Sequence, residues 1–359
     1  MKILFLSHSH FDGVLKVGSH HLSENASQLG HQTLHVSTPL ALPSLIVRPK
    51  SLKTSRAKCA LRGPQTADSG VVNVVPLSLF PASVRFPHRL RRTLEDRFQI
   101  STYDLILVDQ PLFYPIVQDL TGPTVVFRPT DVHVSGRIAH ADDEMMNCAD
   151  ALVATSDFVL KHNLSKNPNV PSMVIENGVE FDRFAGGQDR TRTGFIYVGA
   201  IDYRFDWDTV SVLARHRPDV PVLLVGPVRS DIPPDLPGNV ELRGPVSYDK
   251  VPELLQSARV GLLPFSGAHI NAGRSPMKFY EYLASGLYVV GTHTDELGRR
   301  EAPGVYLWGD SIDSIERAAS DALSAGAYNE AGIDYAQQYD WKFRTESLIR
   351  FCSEIRNGS

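Results

Sequence analysis

Short runs of aliphatic and β-branched residues alternate with helical-period segments along the whole chain, the pattern of parallel α/β sheets. In the first half, runs at 3–7, 33–37, 71–75, 105–108, 124–128, 151–154 and 173–175 predict strands. Helices are expected between them, one over 17–29 and one over 143–148. The stretch 38–70 has little regular pattern and is rich in Pro, Ser and Lys/Arg, which predicts one long loop. Loops of that length inside a compact domain are usually functional. A polar break, FAGGQDRTRTG, follows at 184–194 and has the composition of a linker. A second series then begins, with strands expected at 194–198, 222–225, 240–243, 260–264, 288–291 and 305–307. The closing helical pattern, 341–355, sets Phe343, Leu348 and Phe351 on one side.

The pattern therefore predicts an α/β protein of two doubly wound, Rossmann-like domains, 1–183 and 194–340, joined by a linker over 184–193. A terminal helix, 341–359, is expected to pack back toward the first domain. Ligands in open α/β sheets bind beyond the carboxyl ends of the strands. Two such domains facing a central cleft would concentrate function there.

Composition narrows the class. At 359 residues the chain exceeds one ordinary core, and 42% hydrophobic with 21% charged residues is the make-up of a soluble globular protein. Cys59, Cys148 and Cys352 form no CxxC or Cys/His ligand pattern, which points to reduced thiols and a cytoplasmic setting. The opening MKILFLSHSHF has too short an apolar run for a signal peptide and reads as a first strand. No run approaches the roughly 18 apolar residues of a membrane span.

Charge changes the picture more. Residues 1–130 hold 14 Lys+Arg against 8 Asp+Glu, a balance of +6 that leaves −10 for the remainder of a chain with net charge −4. One basic cluster comprises Arg48, Lys50, Lys53, Arg56, Lys58 and Arg62; the other comprises Arg85, His88, Arg89, Arg91, Arg92 and Arg97. Leu79, Phe80, Val84, Phe86 and Leu90 interleave the second. That mixture suits an anionic membrane surface on the cytoplasmic face of the inner membrane, and neither cluster matches a nucleic-acid module. Solvated loop and helix faces would give the same composition.

Several chemistries are disfavoured by what the sequence lacks. No GxGxxG follows the first strand, no GxxxxGK[ST] occurs, and no GxSxG elbow is present. His8, His10, His20 and His21 find no partners at metal-ligand spacing, so no metal or cofactor is expected. Two segments have positive content. IYVGAID (196–202) ends a strand in Gly199, where backbone can approach a ligand. VGLLPFSGAHINAGRSPMKFYEYLASG (260–286) runs strand, Gly-containing loop, helix. Unpaired N–H groups and the helix dipole favour an anion at such a helix start, and Lys278, one turn in, could complete a diphosphate cradle.

These residues resemble the GT-B glycosyltransferases that use nucleotide sugars: NGV…F before the linker, YVG after it and PMKFYEYLASG late in the chain occur in that family's order. More narrowly, KVGSHHLSENASQLGH (16–31), VFRPTD (126–131) and SPMKFYEY (275–282) are similar to the membrane-associated glucuronosyltransferases of xanthan assembly. The resemblance implies a transferase whose donor is a nucleoside-diphosphate sugar, most simply UDP-linked. Its acceptor would be a saccharide, in lipid-linked form for exopolysaccharide or cell-surface glycan synthesis. By position, Lys278 matches the lysine that contacts the donor diphosphate, and Glu281 a polar residue near the nucleotide's ribose or phosphates. Ile201, Phe265, Ala272 and Met277 fall where the family lines its nucleotide pocket. Gly199, Gly273, Arg274 and Ser275 complete the donor-side set. Asp131 matches the aspartate taken as general base, following a strand whose Val125, Val126 and Phe127 read as buried. His10, Asp12, Lys16, Gly18, His20 and His21 are acceptor-side candidates.

Gly244-Pro245 departs from the family, which has an acidic residue after that glycine, and this leaves the donor sugar open. Many retaining relatives carry a glutamate eight positions before the one matched by Glu281; here that position is Gly273, which favours inversion. A retaining hexosyltransferase and a nucleotide-sugar epimerase of the same fold remain the alternatives.

Overall fold

Runs such as KILFLS and LILV, apolar at successive rather than alternate positions, form strands whose two faces are both covered, as parallel sheets require. The computed structural model describes residues 1–11, 16–43, 54–81 and 89–358. Asp12, Arg48, Lys50, Lys53, Val84, Arg85, Phe86 and His88 therefore lie outside the described residues. The chain divides into two units, Met1–Glu176 with Lys342–Ser359, and Asn177–Trp341.

The first unit carries β1 (Lys2–Ser7), β2 (Gln32–Ser37), β3 (Leu40–Ala41), β4 (Gln65–Thr66) and β5 (Val72–Val74). It continues with β6 (Leu77–Ser78), β7 (Leu105–Val108), β8 (Thr124–Phe127), β9 (Ala151–Ala154) and β10 (Ser172–Val174). The main sheet is ordered β10-β9-β8-β7-β1-β2-β5-β4 and is parallel except at the edge strand β4, while β3 and β6 pair apart from it. β1 sits between β2 and β7, with Ile3 opposite Thr33 on one side and Leu105 on the other. The chain order reverses across β1, which makes the end of β1 a switch point where an open sheet offers a crevice.

The second unit carries β11 (Phe195–Val198), β12 (Val222–Val225), β13 (Val240–Arg243), β14 (Val260–Leu263), β15 (Tyr288–Thr292) and β16 (Val305–Trp308). All pairings are parallel in the order β13-β12-β11-β14-β15-β16, the doubly wound arrangement with its switch point between β11 and β14. Consecutive residues Leu262 and Leu263 enter different cores. Leu262 packs with Val210, Leu213 and Ala318, and Leu263 with Phe279, Tyr280 and Leu283. The side-chain alternation of a strand, covered on both faces by helices, produces this split.

Some expectations change. The stretch 38–70 is not one loop: a helix spans Ser55–Arg62, capped by the Thr54 hydroxyl accepting from the Ala57 N–H, and β3 and β4 flank it. The helix expected over 143–148 starts earlier and covers Gly136–Cys148. In the terminal helix Trp341–Gly358 the buried positions include Trp341, Thr345, Leu348 and Cys352, whereas Phe343 is exposed. The stripe follows i, i+4, i+7 and i+11 from Trp341, a register that leaves Phe343 outside.

The basic clusters are not uniformly solvated charge. Arg56 donates to the carbonyl of Thr38 at 2.7 Å, and Arg91 donates to the carbonyls of Gln118 and Asp119 at 2.6 and 3.2 Å. Both are tethers of local structure. Lys58, Arg62, Arg89, Arg92 and Arg97 remain exposed. Among the described residues no helix is long and apolar enough to cross a membrane.

Candidate functional site

In the second unit the switch point is built by two connections, the one leaving β11 and the one leaving β14. The first runs Gly199 to Phe205, the second Pro264 to Pro276, and an antiparallel bridge between Phe205 and Phe265 joins them. Ser266 and Asn271 fasten the second to the first: the Ser266 N–H and the Asn271 side-chain amide both donate to the Arg204 carbonyl, at 2.9 and 3.1 Å. Phe265 is fixed to the sheet by Thr292, whose hydroxyl accepts from its N–H at 2.9 Å and donates to its carbonyl at 3.0 Å. Asn177, of the NGV segment, holds Ser275 through its N–H to Oγ (3.2 Å) and its side-chain amide to the carbonyl (2.6 Å). The loop thus reaches the helix Met277–Ala284 in one fixed conformation, with Pro276 as its N-cap residue.

Tyr282 docks that helix onto the sheet, its hydroxyl accepting from the Val198 N–H at 3.0 Å. Lys278, in the first turn, then lies at the end of β11. Its ammonium donates to the Tyr197 hydroxyl at 2.9 Å and sits 4.0 Å from that ring's centroid. Tyr197 in turn donates to the Ala200 carbonyl at 2.8 Å, so its hydroxyl lone pair is free to receive Lys278. Burial, then the positive charge of Arg274, drags the Lys278 ammonium down to about 7. Glu281 moves the other way: burial pushes its carboxyl up to about 7, against the pull of Lys278, and the Tyr248 hydroxyl donates to it at 3.3 Å. Lys278 and Glu281 therefore take different partners instead of forming a solvated i,i+3 pair.

Two glycines make the approach possible. A Cβ on Gly199 would stand 2.4 Å from Lys278 Nζ, and one on Gly226 would stand 2.0 Å from the Gly199 carbonyl oxygen. Both have positive φ, +155° and +140°. Gly226→Ala is expected to lower stability by about 1–3 kcal/mol through forced backbone strain. Because the displaced backbone is that of Gly199, the seat of Lys278 should shift with it. Thermal melts check the loss of stability.

All the donor-side residues singled out from sequence are in this one region. Ile201 is wholly buried with its backbone bridged to Val228, Phe265 and Ser275 are buried, and Ala272, Arg274, Met277 and Lys278 are partly buried. Gly273 lies in the same loop. Sequence reasoning passed over Tyr197, Asp202 and Tyr248. Asp202 pairs with Arg204, Nε to Oδ1 at 2.8 Å; burial would raise its carboxyl, and the Arg204 hydrogen bonds and charge hold it low. The signal for Tyr197 was present in IYVG, as an inward position two before the glycine. Tyr248 is far away in sequence and had no local signal.

In the first unit, Asp109 and Arg128 form a buried ion pair at 3.2 Å just beyond β7 and β8. Asp131 follows on the same connection, partly buried, accepting from the Thr130 hydroxyl at 3.3 Å. Val125, Val126 and Phe127 are buried, so β8 does run through the core toward Asp131. Of the acceptor-side histidines, His20 and His21 lie on the helix Gly18–Gln28. His20 accepts from the Val17 N–H on Nδ1 at 3.3 Å, its Nε2 lies 3.4 Å from the Ser9 carbonyl, and its ring packs on Phe11 and His35 at 5.4 and 5.1 Å. Burial holds it well below its ordinary pKa, so it is a neutral wall residue. His10 and His21 are also buried; Gly18 opens the helix Gly18–Gln28, and Lys16 pairs with Glu24 at 2.5 Å.

Residues 207–338 match a family model described as glycosyl transferase-like. TuaH of Bacillus subtilis (strain 168), described as a candidate teichuronic acid biosynthesis glycosyltransferase, is 26% identical over 236 residues, 60% of this chain. The chain spans 59% of that relative's length. Among solved structures, a sucrose-phosphate synthase from Thermosynechococcus elongatus aligns over 100% of both chains at 14% identity and a TM-score of 0.69. An α,α-trehalose-phosphate synthase (UDP-forming) from Burkholderia vietnamiensis aligns over 99% of this chain and 98% of its own, at 13% identity and 0.70. Anabaena HepE, solved with UDP-glucose, aligns over 100% of both chains at 15% identity and 0.68. The likeness over the whole chain shows the GT-B fold.

Proposed function

We propose that this protein is a glycosyltransferase that moves a sugar from a UDP-linked donor to a saccharide acceptor in cell-surface glycan synthesis. One observation carries the reading: Lys278, half-neutralised by burial, is seated at the start of a helix at the switch point of the second sheet. A dianionic diphosphate there would meet helix-start N–H groups and two cations, Lys278 and Arg274, and would restore the lysine's charge. The glycosyl transferase-like match covers this segment, and HepE was solved with UDP-glucose. TuaH, by its description, supports a place in surface-polymer synthesis.

In this reading Glu281 and Tyr248 face the nucleotide's ribose end, and the first unit serves the acceptor. Asp131 takes the proton of the attacking hydroxyl while its oxygen bonds to the anomeric carbon. The bond from that carbon to the diphosphate oxygen breaks, and its electron pair leaves with UDP. The leaving charge is met by Lys278, Arg274 and the helix start, without a metal. A single displacement inverts the anomeric centre. Glucuronic acid is the sugar favoured by the resemblance in sequence, and a lipid-linked saccharide is the acceptor.

A thermal-shift panel of UDP, UDP-glucose, UDP-glucuronate, GDP-mannose and ADP-glucose tests the donor. The UDP compounds should stabilise the protein, by about 2.7 kcal/mol at a hundredfold excess over Kd. Stabilisation by ADP or GDP compounds alone would refute the uridine assignment, and a retained anomeric configuration in the product would refute inversion.

A membrane surface is the second part of the reading. Leu61, Leu77, Leu79 and Phe80 are exposed apolar side chains, and Lys58, Arg62, Arg89 and Arg92 are exposed cations of the same unit. Replacing Lys58, Arg62 and Arg92 by Glu should weaken binding to phosphatidylglycerol vesicles by at least about 1 kcal/mol per charge, or fivefold each. Unchanged cosedimentation would return these residues to ordinary surface.

A further inference from the structure

His133, on the connection from β8, and Asp142, on the helix Gly136–Cys148 that follows it, form a pair with no role in the transfer described so far. Asp142 projects from the helix into the first unit and is 3% exposed. A buried carboxylate is costly unless paired. Its partner is His133, whose Nδ1 lies 2.9 Å from Asp142 Oδ2. This contact places the Nδ1 proton toward the carboxylate and leaves Nε2 as the ring's working nitrogen. The His133 side chain is 29% exposed, so the ring has access to solvent. A buried acid that orients a half-exposed imidazole is the arrangement that proton-transfer sites use. The groups that act on the ring are Asp142 and Asp131, which favour its charged form, and Lys166, which opposes it and is itself paired with Asp143 at 2.8 Å.

We propose that His133, oriented by Asp142, relays the acceptor's proton from Asp131 to solvent, an inference that rests on Asp131 being the base. The proton that leaves the attacking hydroxyl for the Asp131 carboxylate passes to His133 Nε2, and from the imidazolium to water. Asp131 is thereby returned to its ionised form for the next turnover. His133 acts through Asp131 rather than on the substrate. The relay works only while the ring is neutral. The hydrogen bond to Asp142 raises the His133 pKa above its ordinary value, so the imidazolium persists to higher pH and the relay closes as pH falls through that raised value.

Hydrolysis of UDP-glucuronate and of UDP-glucose, with water as acceptor, gives the pH profile, and NMR titration of the His133 ring gives a readout independent of activity. In the wild-type protein the acid limb of kcat should coincide with the ring's titration. Asp142→Asn should move both to lower pH together. His133→Gln should abolish that limb and lower the plateau by about tenfold to a hundredfold, less than loss of the base itself. Its melting temperature shows whether the variant is folded. An unchanged limb and plateau in folded His133→Gln, or a His133 titration that Asp142→Asn does not move, overturns the relay. Asp131→Asn keeps the two readings apart: full activity there overturns the base, whereas its loss beside an unaffected His133→Gln overturns the relay alone. A wild-type protein that neither binds nor hydrolyses UDP-glucuronate or UDP-glucose overturns the donor reading beneath both.

Discussion

Lys278→Ala should bind UDP about 10- to 100-fold more weakly than the wild-type protein, the loss expected for a hydrogen bond to a charged group. The affinity should also lose its pH dependence. With the free-protein pKa drawn down to about 7, by burial first and Arg274 second, Lys278 is mostly neutral above pH 7. A bound diphosphate favours the ammonium, so binding there must take up a proton. Wild-type affinity should then fall by up to about tenfold per pH unit above 7. Below 7 the lysine is already charged and its contribution to the slope disappears. Calorimetry in two buffers of different ionisation enthalpy reads the proton uptake directly. A Lys278→Ala protein that binds like wild type, or keeps the same slope, removes the lysine from the phosphate site.

The same shift has a consequence without ligand. An unfolded lysine titrates at its ordinary value of 10.5, so between about 7 and 10.5 the unfolded chain holds a proton that the folded one has lost. This group's contribution to stability therefore rises with pH across that window. UDP opposes the trend, because the complex needs the proton back. Melts with and without UDP at pH 7 and pH 9 should converge as pH rises.

Asp131→Asn should reduce UDP release from the donor by about 10²- to 10⁴-fold, the usual worth of a general base. The fold should be retained, because the side chain is partly exposed and its contact from Thr130 is one that an amide oxygen can also accept. UDP binding should be unchanged, since the nucleotide is assigned to the second unit. An effect confined to turnover, with Kd for UDP intact, is the expected pattern. Loss of UDP binding would mean that Asp131 serves the nucleotide instead.

Much of this was legible along the chain. The six strands of the second unit follow the aliphatic runs to within a residue or so, because parallel strands covered on both faces must be apolar at nearly every position. The helix start at Met277 was visible from Pro276, and Lys278 was conspicuous as a cation where the helix dipole disfavours one. The segment 38–70 was misread because its helix Ser55–Arg62 is short and cationic. Its stability comes from the Thr54 cap, the Arg56 tether and packing of Cys59 and Ala60 against Val75, none of which is a periodic signal.

By itself the sequence determined the class of fold, the two alternating series and the residue types able to hold a diphosphate. Those depend on local propensity and on period, which neighbours along the chain specify. Tertiary structure decided what those residues do to one another. It turned Lys278 away from Glu281 and onto Tyr197, 81 positions earlier, and set Tyr248 against Glu281. It also placed His133 on a buried Asp142. Burial and partner choice set a side chain's charge, and both arise only when distant segments pack.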